Sequence, residues 1–201
     1  MKRILVTLLL CISAAVLFAQ DETEEKKKGF RADKLFTGGS ISLAFYNNTF
    51  LIGASPVFGY NLTRWIDAGI VVNYNYTSYR DYNFVFNDKL RQTVYGGGVF
   101  TKIYPVSFLF AQAQFEHNFI KQKFVPDVGP TQTASTSGNS LLVGGGYTQG
   151  RDPEGGSAFF YLAVLFDVSG NTNSPYTDGY GRAIPIIRGG VQIPLFQGGS
   201  R

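Results

Sequence analysis

The sequence predicts an all-β protein, an eight-stranded antiparallel up-and-down transmembrane β-barrel. Three observations favour this fold class. Eight segments alternate apolar and polar residues with the period of a β-strand, and most reach the roughly 9–11 residues of a tilted membrane-spanning strand. Their connections alternate between short turns and long polar loops. Aromatic residues gather at both ends of the segments, as they do at the two interfaces of a membrane.

Residues 1–19 have the layout of a secretory signal peptide. A short basic start precedes an apolar run from Ile4 to Phe18, and Ala19 supplies a small residue for cleavage. The run is shorter than the roughly 20 apolar residues of a spanning helix, although an uncleaved anchor is the alternative. We expect residues 20–34, where four acids precede three lysines, to form a flexible charged N-terminal segment.

The barrel is predicted over residues 35–196, followed by a C-terminal tail over 197–201. Long loops at one end and short turns at the other are typical of outer-membrane barrels, although a soluble barrel with its loops gathered on one side would show the same alternation. We expect local irregularities near Pro56, Gly189 and Pro194. The predicted strands cover residues 40–46, 50–60, 65–79, 93–104, 108–119, 140–149, 158–168 and 182–196, and the long loops cover 80–92, 120–139 and 169–181.

The segment FLFAQAQFEHNF, residues 108–119, shows how the two faces of a strand differ. One face carries Leu109, Ala111, Ala113 and Phe115, and the other carries Gln112, Gln114, Glu116 and Asn118. In a soluble sheet the apolar face is the core, whereas in a membrane barrel it contacts lipid. The opposite faces of the other strands hold small residues and amides, which suit a narrow interior better than a water-exposed surface. We therefore predict that the apolar face contacts lipid.

This orientation places a polar network inside the barrel. An unpaired charge in so narrow an interior is costly, and the phase of Glu116 and Arg188 directs both side chains inward. We predict a contact between them, direct or through water. The full predicted network, which has a structural role, comprises Glu116, Arg188, Gln112, Gln114, Asn73, Asn75 and Lys102.

The sequence offers little for catalysis or cofactor binding. Removal of the signal peptide removes Met1 and Cys11, the only cysteine, and His117 is the only histidine. The glycine runs at 96–98 and 144–146 lack the Lys-Ser/Thr ending of a phosphate loop. The net charge of +4 falls to about +2 without Lys2 and Arg3, and the basic residues are scattered along the chain. We expect no enzyme activity, no cofactor, no bound metal and no nucleic-acid partner.

Three stretches carry a resemblance to a known family. FLIGASPVFGYNLTRWIDAGIVVNYNY (50–76), YGGGVFTKIYPVSFLFAQAQF (95–115) and IPIIRGGVQIPLF (184–196) resemble the bacterial outer-membrane protein β-barrel family, with the architecture of the OmpA and OmpX transmembrane domains. The resemblance implies a location in the cell outer membrane, contact with outer-membrane lipid, and contact with the barrel-assembly machinery during insertion. Members commonly end on an aromatic residue, whereas here five residues follow Phe196.

The expected function is that of a small integral outer-membrane protein with a filled interior. Its role would lie in envelope structure or in binding surface or envelope partners through the loops at 80–92, 120–139 and 169–181. A narrow channel for ions or solutes is one alternative, which eight strands disfavour because wide pores need about sixteen. A secreted, lipocalin-like soluble barrel that binds a small apolar ligand is the other.

Overall fold

The computed structural model describes residues 30–46, 49–81, 87–153, 156–177 and 182–196. The barrel lies in the compact unit that begins at Arg31. The predicted signal peptide, 1–19, and the predicted tail, 197–201, lie outside the described residues. The predicted charged segment, 20–34, is described from residue 30 onward, and its last residues form a 3-10 helix at Ala32–Lys34.

Eight antiparallel strands close into a barrel in chain order, which confirms the predicted eight-stranded antiparallel up-and-down barrel. Each strand pairs with its neighbours in sequence, and the first pairs with the last. The strands are β1 (Leu35–Tyr46), β2 (Thr49–Asn61), β3 (Ile66–Arg80), β4 (Lys89–Val106), β5 (Leu109–Val125), β6 (Gln132–Gln149), β7 (Phe159–Asp167) and β8 (Ile186–Pro194).

In the part of the chain that the structure describes, no helix is both long enough and apolar enough to cross a membrane.

Four adjacent strands, β3 to β6, are longer than the others and project beyond β7 and β8. The β6–β7 ladder ends at the pair Leu142↔Asp167, whereas β6 continues along β5 as far as Gln132↔Phe124. We call this extension the protruding sheet: residues 76–80, 89–94, 120–125 and 132–139.

The protruding sheet corrects two predicted loops. The predicted loop 120–139 is wrong for most of its length, because only 126–131 connects β5 to β6. The predicted loop 80–92 shortens to the connection 81–88. Residues 132–139 are rich in Ser and Thr and have no apolar face. Backbone pairing with β5 makes them a strand, and hydrophobic periodicity does not detect such pairing.

The last predicted strand, 182–196, begins too early and extends past Pro194. Residues 182–185 belong to the β7–β8 connection, which spans 168–185. Pro185 has no N–H for a ladder, the Ile184 N–H donates to the Tyr176 carbonyl at 2.9 Å, and Ala183 forms an isolated bridge with Thr177. These contacts tie the segment to its own loop instead of to a neighbouring strand.

The predicted irregularities at Gly189 and Pro194 are wrong, since the register of the described strands runs through both without a shift. The irregularity predicted at Pro56 is present as a break in pairing without a shift of register. Pro56, which has no N–H, falls in a short gap of the β2–β3 ladder, and pairing resumes in the same register. A register shift falls instead between Ile103 and Val106, at the end of β4.

The two faces of the strands differ in polarity in the way predicted for a membrane barrel. On β3, Val71 faces inward and is 2% exposed, whereas its neighbours Ile70 and Val72 face outward and are 55% and 57% exposed. Charged and amide side chains are buried inside, together with small clusters of aromatic and aliphatic side chains. Not every aromatic residue at a strand end belongs to the predicted interface bands, because Tyr104 shares the inward phase of Lys102 and is fully buried.

Candidate functional site

Glu116 on β5 lies at the centre of the barrel interior and is fully buried. Its carboxylate accepts hydrogen bonds from Tyr176 Oη at 2.7 Å and from Arg188 Nη2 at 3.2 Å. Three amide nitrogens complete the set of donors: Asn118 Nδ2 at 3.0 Å, Asn73 Nδ2 at 3.4 Å and Gln114 Nε2. A buried carboxylate needs this many partners to replace the water that it loses.

The inward row of β5 explains why these groups meet. Every second residue of a strand shares a face, so Gln112, Gln114, Glu116 and Asn118 follow one another along the interior. Gln112 Nε2 donates to Gln114 Oε1 at 2.7 Å. From β3, Asn73 Nδ2 donates to Asn118 Oδ1 at 2.6 Å and connects the row to another strand. Hydrogen bonds therefore join the predicted amides Asn73, Gln112 and Gln114 to Glu116 in one network.

Asn75 lies one step further along the inward face of β3, opposite Gly53 of β2. Its side-chain oxygen occupies the space that a Cβ at Gly53 would need. Because Gly53 has no side chain, the Asn75 amide can pack against β2, and Asn75 fills space beside the network.

The predicted Glu116–Arg188 contact is a direct ion pair of 3.2 Å between β5 and β8. Both side chains are almost completely removed from solvent. Burying two charges is expensive unless good geometry and further hydrogen bonds compensate for the lost hydration. The additional donors around Glu116 supply that compensation, and the pair joins opposite parts of the chain across the interior.

Lys102 belongs to a second polar group, nearer the short-turn end of the barrel. Its Nζ lies 3.4 Å from Gln192 Oε1 and 4.1 Å from the centroid of the Tyr161 ring, and the side chain is 3% exposed. Gln192 Nε2 donates in turn to Asp67 Oδ2 at 3.1 Å. Lys102 is therefore part of a group with Asp67 and Gln192, whereas the prediction placed it in one network with Glu116.

Sequence reasoning missed Asp67 and Gln192, although a signal for both was present. Asp67 has the same phase on its strand as Asn73, and Gln192 has the same phase as Arg188. Counting every second residue from the predicted members of the network would have included both residues.

The β7–β8 connection, 168–185, brings a further residue into the interior. Ser174 Oγ lies 2.9 Å from Ser140 Oγ, and Asn171 Nδ2 donates to the Asn139 carbonyl at 3.0 Å, so the connection packs along β6. Tyr176 is thereby buried against Leu142. The prediction treated 169–181 as an outward loop, and no local pattern in the sequence indicates this inward turn.

The Tyr176 hydroxyl closes the end of the interior from which the protruding sheet extends. Burial, reinforced by the nearby Glu116 carboxylate, raises the pKa of this phenol above its ordinary value. The hydroxyl therefore stays protonated and donates to Glu116 at neutral pH.

A small cavity separates the two polar groups. It has room for about one water molecule. Its lining combines apolar side chains with the polar residues Ser40, Ser55, Lys102, Gln112, Tyr161 and Arg188. Such a lining offers a water the two to four polar partners that a buried water needs.

His117 lies on the outward face of β5. Its Nδ1 is 2.6 Å from Asn139 Oδ1, and its ring packs edge-on against Phe119 at 4.9 Å between centroids. Within the described ranges, no group of three or more His, Cys, Asp or Glu side chains is placed to hold a metal ion.

Comparisons with known proteins show similarity to solved structures only. No protein-family model matches the chain, and no curated protein matches it. Among solved structures, the chain is similar to Ail, the attachment invasion locus protein of Yersinia pestis, which was crystallised in complex with the heparin analogue sucrose octasulfate. The TM-score is 0.42 at 9% sequence identity, and the match covers 79% of this chain and 90% of that chain.

Proposed function

We propose that the protein is a small integral outer-membrane barrel with a filled interior, which supports envelope structure or binds surface partners at the end that carries the protruding sheet. One observation carries this proposal. The outward faces of the strands are apolar at mid-height, whereas a buried ion pair and its amides occupy the inside. That reversal of polarity suits a barrel surrounded by hydrocarbon.

A soluble barrel that binds an apolar ligand would need the opposite arrangement. It would require an apolar interior cavity, but the interior here is centred on Glu116 and Arg188. It would also have to expose Ile70, Val72 and Val99 to water. Large continuous apolar patches are uncommon on soluble monomers and usually indicate contact with a membrane or a partner.

A channel is also a poorer fit than a filled scaffold. Eight strands enclose an interior just wide enough for side chains, and contacts of Glu116 with Arg188 and Tyr176 span this interior. The proposal therefore predicts that the purified protein gives no discrete current steps in a planar bilayer. Reproducible steps from the folded protein would favour the channel.

The proposal assigns the protein no catalytic role and no cofactor. The sites for surface or envelope partners would be the protruding sheet and the connections 81–88, 126–131 and 168–185, because loops on a rigid scaffold are where binding usually resides. Contact with the barrel-assembly machinery during insertion is part of the same proposal.

A pair of arginine substitutions tests the orientation of the barrel. Ile70→Arg places a charge on the outward face at the middle of β3, and Ser135→Arg places the same charge on an outward, exposed position of the protruding sheet. An arginine at the midplane of a bilayer costs about 2–4 kcal/mol of barrel stability, and this cost falls towards zero outside the hydrocarbon. Urea unfolding in phosphatidylcholine vesicles, followed by heat-shifted gel mobility, should show a loss for Ile70→Arg alone.

The soluble alternative predicts different results. A soluble barrel would tolerate Ile70→Arg as well as Ser135→Arg, because both side chains would face water. It would also remain folded and monomeric in buffer without detergent. Either result would contradict the proposal.

A further inference from the structure

Five basic side chains that are scattered in the sequence share the outward face of the protruding sheet. The register pairs Arg80 with Lys89, and Arg91 with Lys123, across neighbouring strands. Lys121 lies opposite Thr93 on the same face. We call these five residues the basic face.

The pairing within the basic face is unfavourable by itself. Side chains directly opposite each other on one face of an antiparallel pair lie about 5 Å apart, and like charges in that position destabilise the sheet. Arg80↔Lys89 and Arg91↔Lys123 are two such pairs. In the described part of β3 to β6, the outward face carries no acidic side chain that would relieve this repulsion. An anion that bridges the paired cations would relieve it.

The acids of the described connections nearest the basic face are Asp81, Asp88 and Asp127, and none of them lies on the outward face of the strands. Asp88 is buried and accepts a hydrogen bond from the Asp127 N–H at 2.8 Å. Asp81 accepts a hydrogen bond from the Asn87 N–H at 3.0 Å. These hydrogen bonds place the Asp81 and Asp88 carboxylates among the connections and not on the outward face of the sheet.

The position of the basic face indicates which anion it meets. Directly below it, an outward row of aromatic residues crosses three strands in register, Tyr74↔Tyr95↔Phe119, and the rings of Tyr95 and Phe119 stack at 5.6 Å. Directly below this row His117 contacts Asn139. From the next row down the outward face is apolar, with Val99 and Phe115 exposed. Such a row is typical of the boundary between hydrocarbon and headgroups.

The height of the cations above that boundary matches a layer of lipid headgroups. At about 3.3 Å per residue and a tilt of about 45°, a strand climbs roughly 2.3 Å per residue. Lys121 then lies about 5 Å above Phe119, and Arg91 lies about 9 Å above Tyr95. The headgroup region adds roughly 5–8 Å to each side of the hydrocarbon, and long basic side chains can reach down into it. Lys121 already folds back towards the boundary, with its Nζ 5.4 Å from the centroid of the Tyr95 ring.

We propose that the basic face is a docking site for the phosphate groups of anionic lipids in the leaflet next to the protruding sheet. The inference rests on the proposed function, because it requires the apolar belt to be inserted in a bilayer. Arg91 and Lys123 provide the central pair of cations, Lys121 contacts the phosphate closest to the boundary, and Arg80 and Lys89 extend the site away from the membrane.

Lipid retention by the full folded chain tests the proposal. The protein is placed in bilayer discs of phosphatidylcholine mixed with phosphatidylglycerol, and native mass spectrometry gives the ratio of the two lipids that the released protein retains. Wild type should be enriched in phosphatidylglycerol. Each basic residue near an anionic membrane surface is worth about fivefold in binding, so Arg91→Gln with Lys123→Gln should lower the enrichment by about thirtyfold at low salt.

The exchange variant Arg91→Lys with Lys123→Arg is the matched control, because it keeps both charges and should keep most of the enrichment. Raising the salt concentration should reduce the enrichment of wild type, since surface charges are screened. The docking site would be overturned if the retained lipids had the same ratio of phosphatidylglycerol to phosphatidylcholine as the disc. It would also be overturned if wild type and the glutamine variant showed equal enrichment. Displacement of phosphatidylglycerol by an equal concentration of inorganic phosphate would overturn it as well.

Failure of the docking site and failure of the proposed function give different results. A protein that inserts into phosphatidylcholine discs and shows heat-shifted mobility, but retains lipids without preference, contradicts only the docking site. A protein that does not insert into phosphatidylcholine discs at all contradicts the proposed function. Heat-shifted mobility of the glutamine variant verifies that it still folds.

Discussion

Replacing Glu116 by glutamine tests whether the interior network stabilises the barrel. The substitution keeps the volume of the side chain but removes its charge, so the Arg188 guanidinium stays buried without the carboxylate that it contacts at 3.2 Å. It also introduces an amide N–H₂ group where several donors, including Tyr176, converge. Removing one partner of a buried ion pair costs about 3–5 kcal/mol. We expect the free energy of unfolding to fall by about that amount.

Urea titration of the folded protein in detergent micelles measures this change. Trp65 is the only tryptophan of the chain and is exposed in the β2–β3 turn, so its fluorescence reports on unfolding. The double variant Glu116→Gln with Arg188→Met should lose less stability than the two single variants together, because it leaves no unpaired buried charge.

The control is Asp33→Asn, which breaks the exposed ion pair of Asp33 with Arg31. Exposed ion pairs contribute little to stability, so this variant should unfold at the same urea concentration as wild type. A loss below about 1 kcal/mol for Glu116→Gln would refute the reasoning, as would strictly additive effects of Glu116→Gln and Arg188→Met.

Two further predictions use matched variants of the same barrel. A Cβ at Gly98 would collide with a backbone oxygen of β5, whereas a Cβ at Gly189 would meet nothing within 4 Å. In the same urea titration, Gly98→Ala should therefore lower the free energy of unfolding by about 1–3 kcal/mol, and Gly189→Ala should leave it almost unchanged. Tyr176→Phe removes a hydrogen bond to Glu116, so the free energy of unfolding should fall by about 1.5–3 kcal/mol. The same variant should also make the β7–β8 connection more accessible to protease. Tyr147→Phe, on the outward face, should change neither property, and equal effects of the two phenylalanine variants would contradict the role assigned to Tyr176.

The basic face shows why a pattern read along the chain can mislead. In the sequence, Arg80, Lys89 and Arg91 are separated by a long stretch from Lys121 and Lys123, so the two groups indicate no common charged surface. The register of three neighbouring strands places them within one patch. Register depends on which residues pair across strands, and the sequence of one strand does not show how its partner aligns with it.

The sequence by itself determined the eight-stranded barrel and the outward faces of strands such as β3 and β5. Both follow from a period of two residues, because successive side chains of a strand must point to opposite sides. The same rule placed Glu116, Arg188, Gln112 and Gln114 inside, since each residue's phase is a local property.

Tertiary structure decided the features that depend on distant partners. Residues 132–139 form a strand because β5 lies beside them, and Tyr176 enters the interior because its connection packs along β6. Lys102 pairs with Gln192 instead of joining Glu116, because their positions along the barrel differ although their phase is the same. Alternation determines whether a side chain points into or out of the barrel. Its position along the barrel axis and its neighbours on other strands are determined only when the strands align and the barrel closes.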